Sequence, residues 1–187
     1  MPRYDLPNAA PEPLRLVQLF VNTVDREHGR EWLPTPEALT DWCGAHAVPV
    51  EGAVADRDLV RALELRESLR ALLRANNGAR LDPDAVAALN DAARAAGVTP
   101  VIGSGGAVSL EPAGGGVGGA LGRVVAVALE AMLDGSWRRL KACRQCSWAF
   151  YDYSKNRSAS WCSMALCGNR LKTRAYRRRL AEEKSSA

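Results

Sequence analysis

Cys143 and Cys146 form a C-x-x-C pair, and Cys162 and Cys167 follow it across a 15-residue gap. A C-x-x-C turn sets two thiolates on one side of a metal. The gap lets the chain return with two more, which completes the all-sulfur tetrahedron of a structural zinc site, one ion per chain. The four-residue spacer of the second pair is longer than the usual turn but within metal-binding range. Clustered thiols have two other uses, a disulfide or redox switch and separate burial without a common role. The fifth cysteine, Cys43, has apolar neighbours and reads as a core thiol. His28 and His46, the only histidines, have no catalytic pattern around them. Neither His nor Glu stands near the cysteines as a general base, and four sulfur ligands leave no position for water. The chain is not expected to be an enzyme.

Charge divides the chain at the same place. Residues 1–136 hold 12 Arg/Lys against 18 Asp/Glu, while residues 137–187 hold 13 against 3, within a net charge of +4. An acidic body with a basic metal module implies a polyanionic partner. The alternatives are a solvated tail and a tail folded onto its own acidic body. Residues from about 167 to 182 read as a helix. At about 100° per residue, Arg170, Arg174, Arg177, Arg178 and Lys184 fall within an arc of about 120°, with Lys172 and Arg179 on the opposite flank. Like charges on one face repel unless phosphates neutralise them, and the arginine fork suits phosphate and guanine edges. Arg170, Lys172, Arg174, Arg177, Arg178 and Arg179 are therefore the candidate nucleic-acid contacts, with duplex DNA as the expected partner. Asn169 fits either an adenine reader or a helix cap.

The run Trp161-Cys162-Ser163-Met164-Ala165-Leu166-Cys167-Gly168-Asn169-Arg170, with Phe150 to Ser158 before it, resembles the CGNR zinc-finger family. Phe20-Val21-Asn22-Thr23-Val24-Asp25 is similar to the start of the ABATE domain that precedes this finger in such proteins. The resemblance is specific over 140–180 and weaker over 14–135. It implies a bacterial stress-related transcriptional regulator. Two departures stand out. Relatives often carry a longer insertion in the first cysteine pair, and Ala159 and Ser160 occupy positions where basic residues are expected. An excess of 21 Arg over 4 Lys also suits a GC-rich genome.

Several elements must position these residues. Residues 1–13 contain four prolines and read as a flexible arm. Leu16, Leu19, Phe20 and Thr23 keep helical spacing from Leu14 to about Glu27, with Asn22 and Asp25 placed to cap neighbouring backbone or line a pocket, the structural role being the better reading. Thr35-Pro36 starts a second helix. Asp56 to Asn76 forms a long third, its leucines inward and Arg57, Arg61, Arg66, Arg70 and Arg74 outward. Asp82-Pro83 starts a fourth. Thr99–Ile102 and Ala107–Glu111 make a hairpin around Gly103–Gly106. Gly114, Gly116 and Gly119 spell G-x-G-x-x-G, but the helix that follows, Ala120–Leu133, runs into the cysteine module rather than a parallel strand. A turn is the better reading.

The expected fold is thus α+β: a mostly helical domain with a small hairpin over 14–136, then a treble-clef-like zinc finger over 137–187. The sequence lacks an apolar leader and an evident membrane span, and a thiol cluster in such a chain favours metal over disulfides. A cytoplasmic regulator is expected, its finger on nucleic acid and its body open to a small-molecule effector, a partner protein or self-assembly. The alternative is an adaptor whose finger docks a protein or RNA.

Overall fold

The computed structural model describes residues 8–48 and 50–169. The basic segment from Arg170 onward lies outside them. Helix α1 (Arg15–Val21) buries Val17, Phe20 and Val21. It ends well before Glu27, because the chain turns at Asn22 into a short hairpin of β1 (Val24–Asp25) and β2 (Arg30–Glu31). Asp25 closes that hairpin. Its carboxylate accepts the N–H groups of Glu27 and His28 and meets the His28 ring at 2.7 Å. Helix α2 (Pro36–Ala45) starts as expected, with the Thr35 hydroxyl accepting the Ala38 N–H at 3.3 Å. Cys43 is buried on its inner face, and burial pushes this thiol up to about 11. His46 stacks on Trp42 at 4.4 Å, a packing role.

Helices α3 (Asp56–Ala75) and α4 (Pro83–Ala95) pack together, and α4 also packs on α5 (Gly116–Asp134). Between α4 and α5 lies the hairpin β3 (Thr99–Ile102) and β4 (Val108–Glu111), in the expected antiparallel pairing. α5 begins four residues earlier than its apolar run suggests, inside the glycine-rich segment. By length and composition alone it could cross a bilayer, with mean hydropathy 1.5. Here Val124, Val125, Val127 and Ala128 lie at the centre of the core, against α1 and α4. Within its first turn, Gly119 serves packing. A Cβ on Gly119 would stand 2.2 Å from the carbonyl oxygen of Gly114. All three sheets among the described residues are two-stranded and antiparallel, so this glycine run has no dinucleotide-binding βαβ frame.

Two expectations need correction. Arg66 and Arg70 do not decorate the outside of α3; they are 5% and 3% exposed. Arg66 holds Glu31 through two bonds of 2.7 and 2.8 Å and also reaches Thr23 and Glu67. Their spacing from Glu67 mimics a surface pair, but the β1–β2 hairpin brings Glu31 to Arg66, and the carbonyls of Val21 and Ser147 receive Arg70. The other correction concerns residues 8–13, expected within the flexible arm. Ala10 is buried, its N–H donates to the Gln18 side chain at 2.6 Å, and the Asn8 carbonyl accepts from Tyr151 at 2.9 Å.

A single turn, Ser136–Arg139, leads from α5 into the last hairpin, β5 (Leu140–Ala142) paired with β6 (Ala149–Tyr151). Trp137, Leu140, Ala142, Ala149 and Tyr151 join the core of the helical body. A second, smaller core gathers around the cysteines, with Trp148 and Phe150 inside it and Trp32 and Trp161 at its edge. The whole is α+β, as expected.

Candidate metal centre

The C-x-x-C pair occupies the loop that joins β5 to β6. The Cys143 N–H bonds the Trp148 carbonyl, and the Ser147 N–H returns to the Cys143 carbonyl, both at 2.9 Å. Ser147 takes a left-handed φ of 61°, which turns the loop back toward β6. Of the second pair, Cys162 precedes a wide helical turn, Met164–Gly168, and Cys167 lies within it. Ser163 caps it, its hydroxyl accepting the Leu166 N–H at 3.2 Å while its carbonyl takes the N–H groups of Cys167 and Gly168. Gly168 sits in a crowded spot, where a side chain would have to displace the exposed end of Met164. A Cβ there would lie 2.7 Å from the Met164 sulfur and 3.1 Å from the Trp161 ring.

This places all four sulfurs within 4.8 Å of one another, every one of these residues buried. Cys146, Cys162 and Cys167 form a triangle with Sγ–Sγ edges of 3.6, 3.7 and 3.6 Å. A tetrahedron with Zn–S bonds of about 2.3 Å has edges of about 3.8 Å, so the donor set fits one zinc ion. A disulfide requires about 2.05 Å, and all five cysteines are free thiols. Electrostatics agree with the geometry. Hydrogen bonds from Cys146 and Cys162 hold the Cys143 thiol well below its ordinary range. Cys146 and Cys162 are pushed up, chiefly by their bonds within the cluster, and burial pushes Cys167 up to about 12. Packed this closely, four thiolates need a cation between them. With all four as ligands the metal would hold the fold together.

The segment between the pairs is organised by a buried ion pair. Lys141 on β5 donates to Asp152 at 2.7 Å and to the carbonyls of Arg157 and Ala159 at 2.6 and 3.1 Å. Asp152 also accepts the N–H groups of Ser154 and Ala159. Together they fix the loop that brings Cys162 to the site.

The body holds this module by its main chain. The Asn22 and Gln18 side chains bond Ala149; Asn77 bonds the carbonyls of Ala142 and Ser160; Asn76 bonds those of Trp137 and Leu140. Arg70 donates to the Ser147 carbonyl at 2.7 Å and to that of Val21. Asn8 adds a bond to the Cys162 carbonyl at 2.9 Å. None of these contacts was signalled by a motif, since a polar residue on a helix gives no hint of a distant carbonyl.

The thiol ligands expected from spacing thus come together. The expected nucleic-acid contacts Arg170, Lys172, Arg174, Arg177, Arg178 and Arg179 lie outside the described residues. Within the described finger, sequence reading passed over Arg138, Arg144, Lys155 and Arg157, all exposed.

This arrangement defines a helical body carrying a structural zinc finger. A family model described as "Putative stress-induced transcription regulator", ABATE, matches residues 14–135, and that of the CGNR zinc finger matches 139–180. The chain belongs to the ABATE family and ends in a CGNR zinc finger. Among curated proteins, none matches the chain.

Proposed function

We propose that this protein is a transcriptional regulator whose zinc finger binds duplex DNA, the body sensing a signal or assembling copies. One observation supports this most. The sole acidic residue from 137 to 169, Asp152, is 1% exposed and paired with Lys141, so it does not offset the cations around it. The exposed charge of the described finger is therefore positive, and the basic run from Arg170 to Arg179 follows directly in sequence. Zinc would serve as scaffold, with no catalysis assigned. Reduced thiols suit a cytoplasmic setting.

The adaptor reading is favoured by one feature of the body: Ile102 and Val108, near the turn of the β3–β4 hairpin, are 74% and 64% exposed. Apolar side chains held in water suit a protein partner. Fluorescence anisotropy of the zinc-loaded chain with duplex DNA and with single-stranded RNA separates the readings. If about four phosphates are contacted, log K falls with log salt at a slope of about −3.6 on duplex. Arg174→Ala with Arg178→Ala lowers that slope by about 2. Absence of salt-dependent binding to either nucleic acid at low ionic strength overturns the regulator reading in favour of the adaptor.

A further inference from the structure

The geometry points to a phosphate-binding cleft between the body and the zinc knuckle, built from Arg74 of α3 and Arg144 of the C-x-x-C loop. The cleft has a volume of about 260 Å³ and is lined by Arg74, Asn77, Gly78, Arg144 and Ser147 among others, without a carboxylate. Both arginines are exposed. Neither side chain has an acidic partner among the described residues, whereas Arg26, Arg66, Arg70 and Arg94 each have one.

Arg144 is also oriented. Its Nε donates to the Asn77 carbonyl at 2.9 Å, which leaves both terminal nitrogens of the fork without a partner among the described residues. The Arg144 backbone is tied as well, its N–H bonding the Ser160 carbonyl at 3.2 Å. The guanidinium lies over Gly78, where a Cβ would stand 2.8 Å from Nη2. Gly78 has a φ of 90°, so one glycine both makes the turn after α3 and admits the guanidinium. Three of the carbonyls at this helix end, which would otherwise repel an anion, already accept hydrogen bonds. Those of Arg74 and Ala75 accept N–H groups from Asn77, Ala79 and Gly78, and that of Asn77 accepts Arg144. A fork fixed through Nε and offering its remaining donors outward is the bidentate geometry that takes phosphate oxygens.

The ligand is a phosphate group, from a nucleic-acid backbone or from a soluble phosphorylated compound. The backbone source rests on the DNA-binding reading above and extends it: the helical body would then touch the nucleic acid beside the metal, in addition to the basic tail.

The test uses the full zinc-loaded chain in three forms: wild type, Arg74→Ala with Arg144→Ala, and Arg174→Ala with Arg178→Ala. Duplex affinity is measured over a salt series. The cleft variant is expected to lower the slope by about 2, one for each lost phosphate contact, with zinc content unchanged. Arg74→Ala alone should lower it by about 1, and this single change decides the matter if the double variant loses zinc. An unchanged slope in the cleft variants, with a lowered slope in the tail variant, overturns the cleft and leaves the DNA reading standing. If the wild type binds no duplex, the DNA reading has failed and pyrophosphate alone decides the cleft. A rise in wild-type melting temperature with pyrophosphate that the cleft variant lacks supports the soluble source; no rise overturns the site.

Discussion

Asn22 and Ala149 face each other as residues of neighbouring strands do, although only Ala149 lies in a strand. The Asn22 amide donates to the Ala149 carbonyl at 2.9 Å and accepts the Ala149 N–H at 2.7 Å. Two residues on, the Tyr151 N–H bonds the Asn8 carbonyl. The outer edge of β6, which β5 cannot reach, is thereby closed by one side chain and one stretch of N-terminal backbone.

Asn22→Ala should cost about 1–3 kcal/mol in urea unfolding, because it leaves the buried Ala149 N–H without a partner. Gln18 still serves the carbonyl at 3.1 Å. Asn22→Asp should be worse, since a carboxylate oxygen would face that carbonyl. Equal midpoints for wild type and both variants would show that the pairing contributes nothing.

Native mass spectrometry should find one zinc per chain, lost on Cys→Ser change at 143, 146, 162 or 167 and kept in Cys43→Ser. Chelation should preserve most of the helical circular dichroism, because α1, α3, α4 and α5 share their own core. The thermal midpoint should nevertheless fall, by roughly 2–4 °C for each kcal/mol lost. The reason is that β5 and β6 also belong to that core. A midpoint indifferent to chelator would show that the hairpin stays docked without metal.

The Lys141–Asp152 pair predicts an acid-dependent loss of stability. Burial works to raise the Asp152 carboxyl, but hydrogen bonds from Lys141 and Ser154 outweigh it and hold the group below its ordinary value. A depressed folded value stabilises the protein above the unfolded one, about 3.9, and that contribution is lost as pH falls through the folded value. Asp152→Asn should remove this acid limb. It should also cost about 3–5 kcal/mol at neutral pH by leaving Lys141 buried and unpaired. Unfolding curves at several pH values check both effects.

Gly119→Ala should destabilise the body by more than the ~1 kcal/mol typical of a point mutation, because the added methyl meets backbone at Gly114 rather than a movable side chain. The same variant should show no change in its response to dinucleotides. A stable Gly119→Ala protein would mean that the 114–116 turn yields easily.

What was legible in the sequence was what local spacing encodes. Four thiols at metal spacing, a Thr-Pro start at 35–36 and an Asp-Pro start at 82–83 each carry their meaning within a few residues. Arg66 and Arg70 did not, because an arginine near a glutamate looks the same whether or not another hairpin folds over it. Strand β5 was hidden by its buried lysine, since Leu140-Lys141-Ala142 has an interior reading only once the Asp152 carboxylate, just past β6, pairs with Lys141. The early end of α1 follows from Asn22, whose partner lies far along the chain at Ala149. Each of these three misses involved a polar group whose partner lies outside its own element.

The contacts made by Gln18, Asn22, Arg70, Asn76 and Asn77 to the module all end on backbone atoms. A socket that grips main chain is indifferent to what the plug displays on its outer surface. Within this architecture, residues such as Arg138, Lys155 and Arg157 are at liberty to change without loosening the joint. Fingers with different outer surfaces could be exchanged on one body, provided each keeps the hairpin with its core side chains, Arg144 and the four thiols.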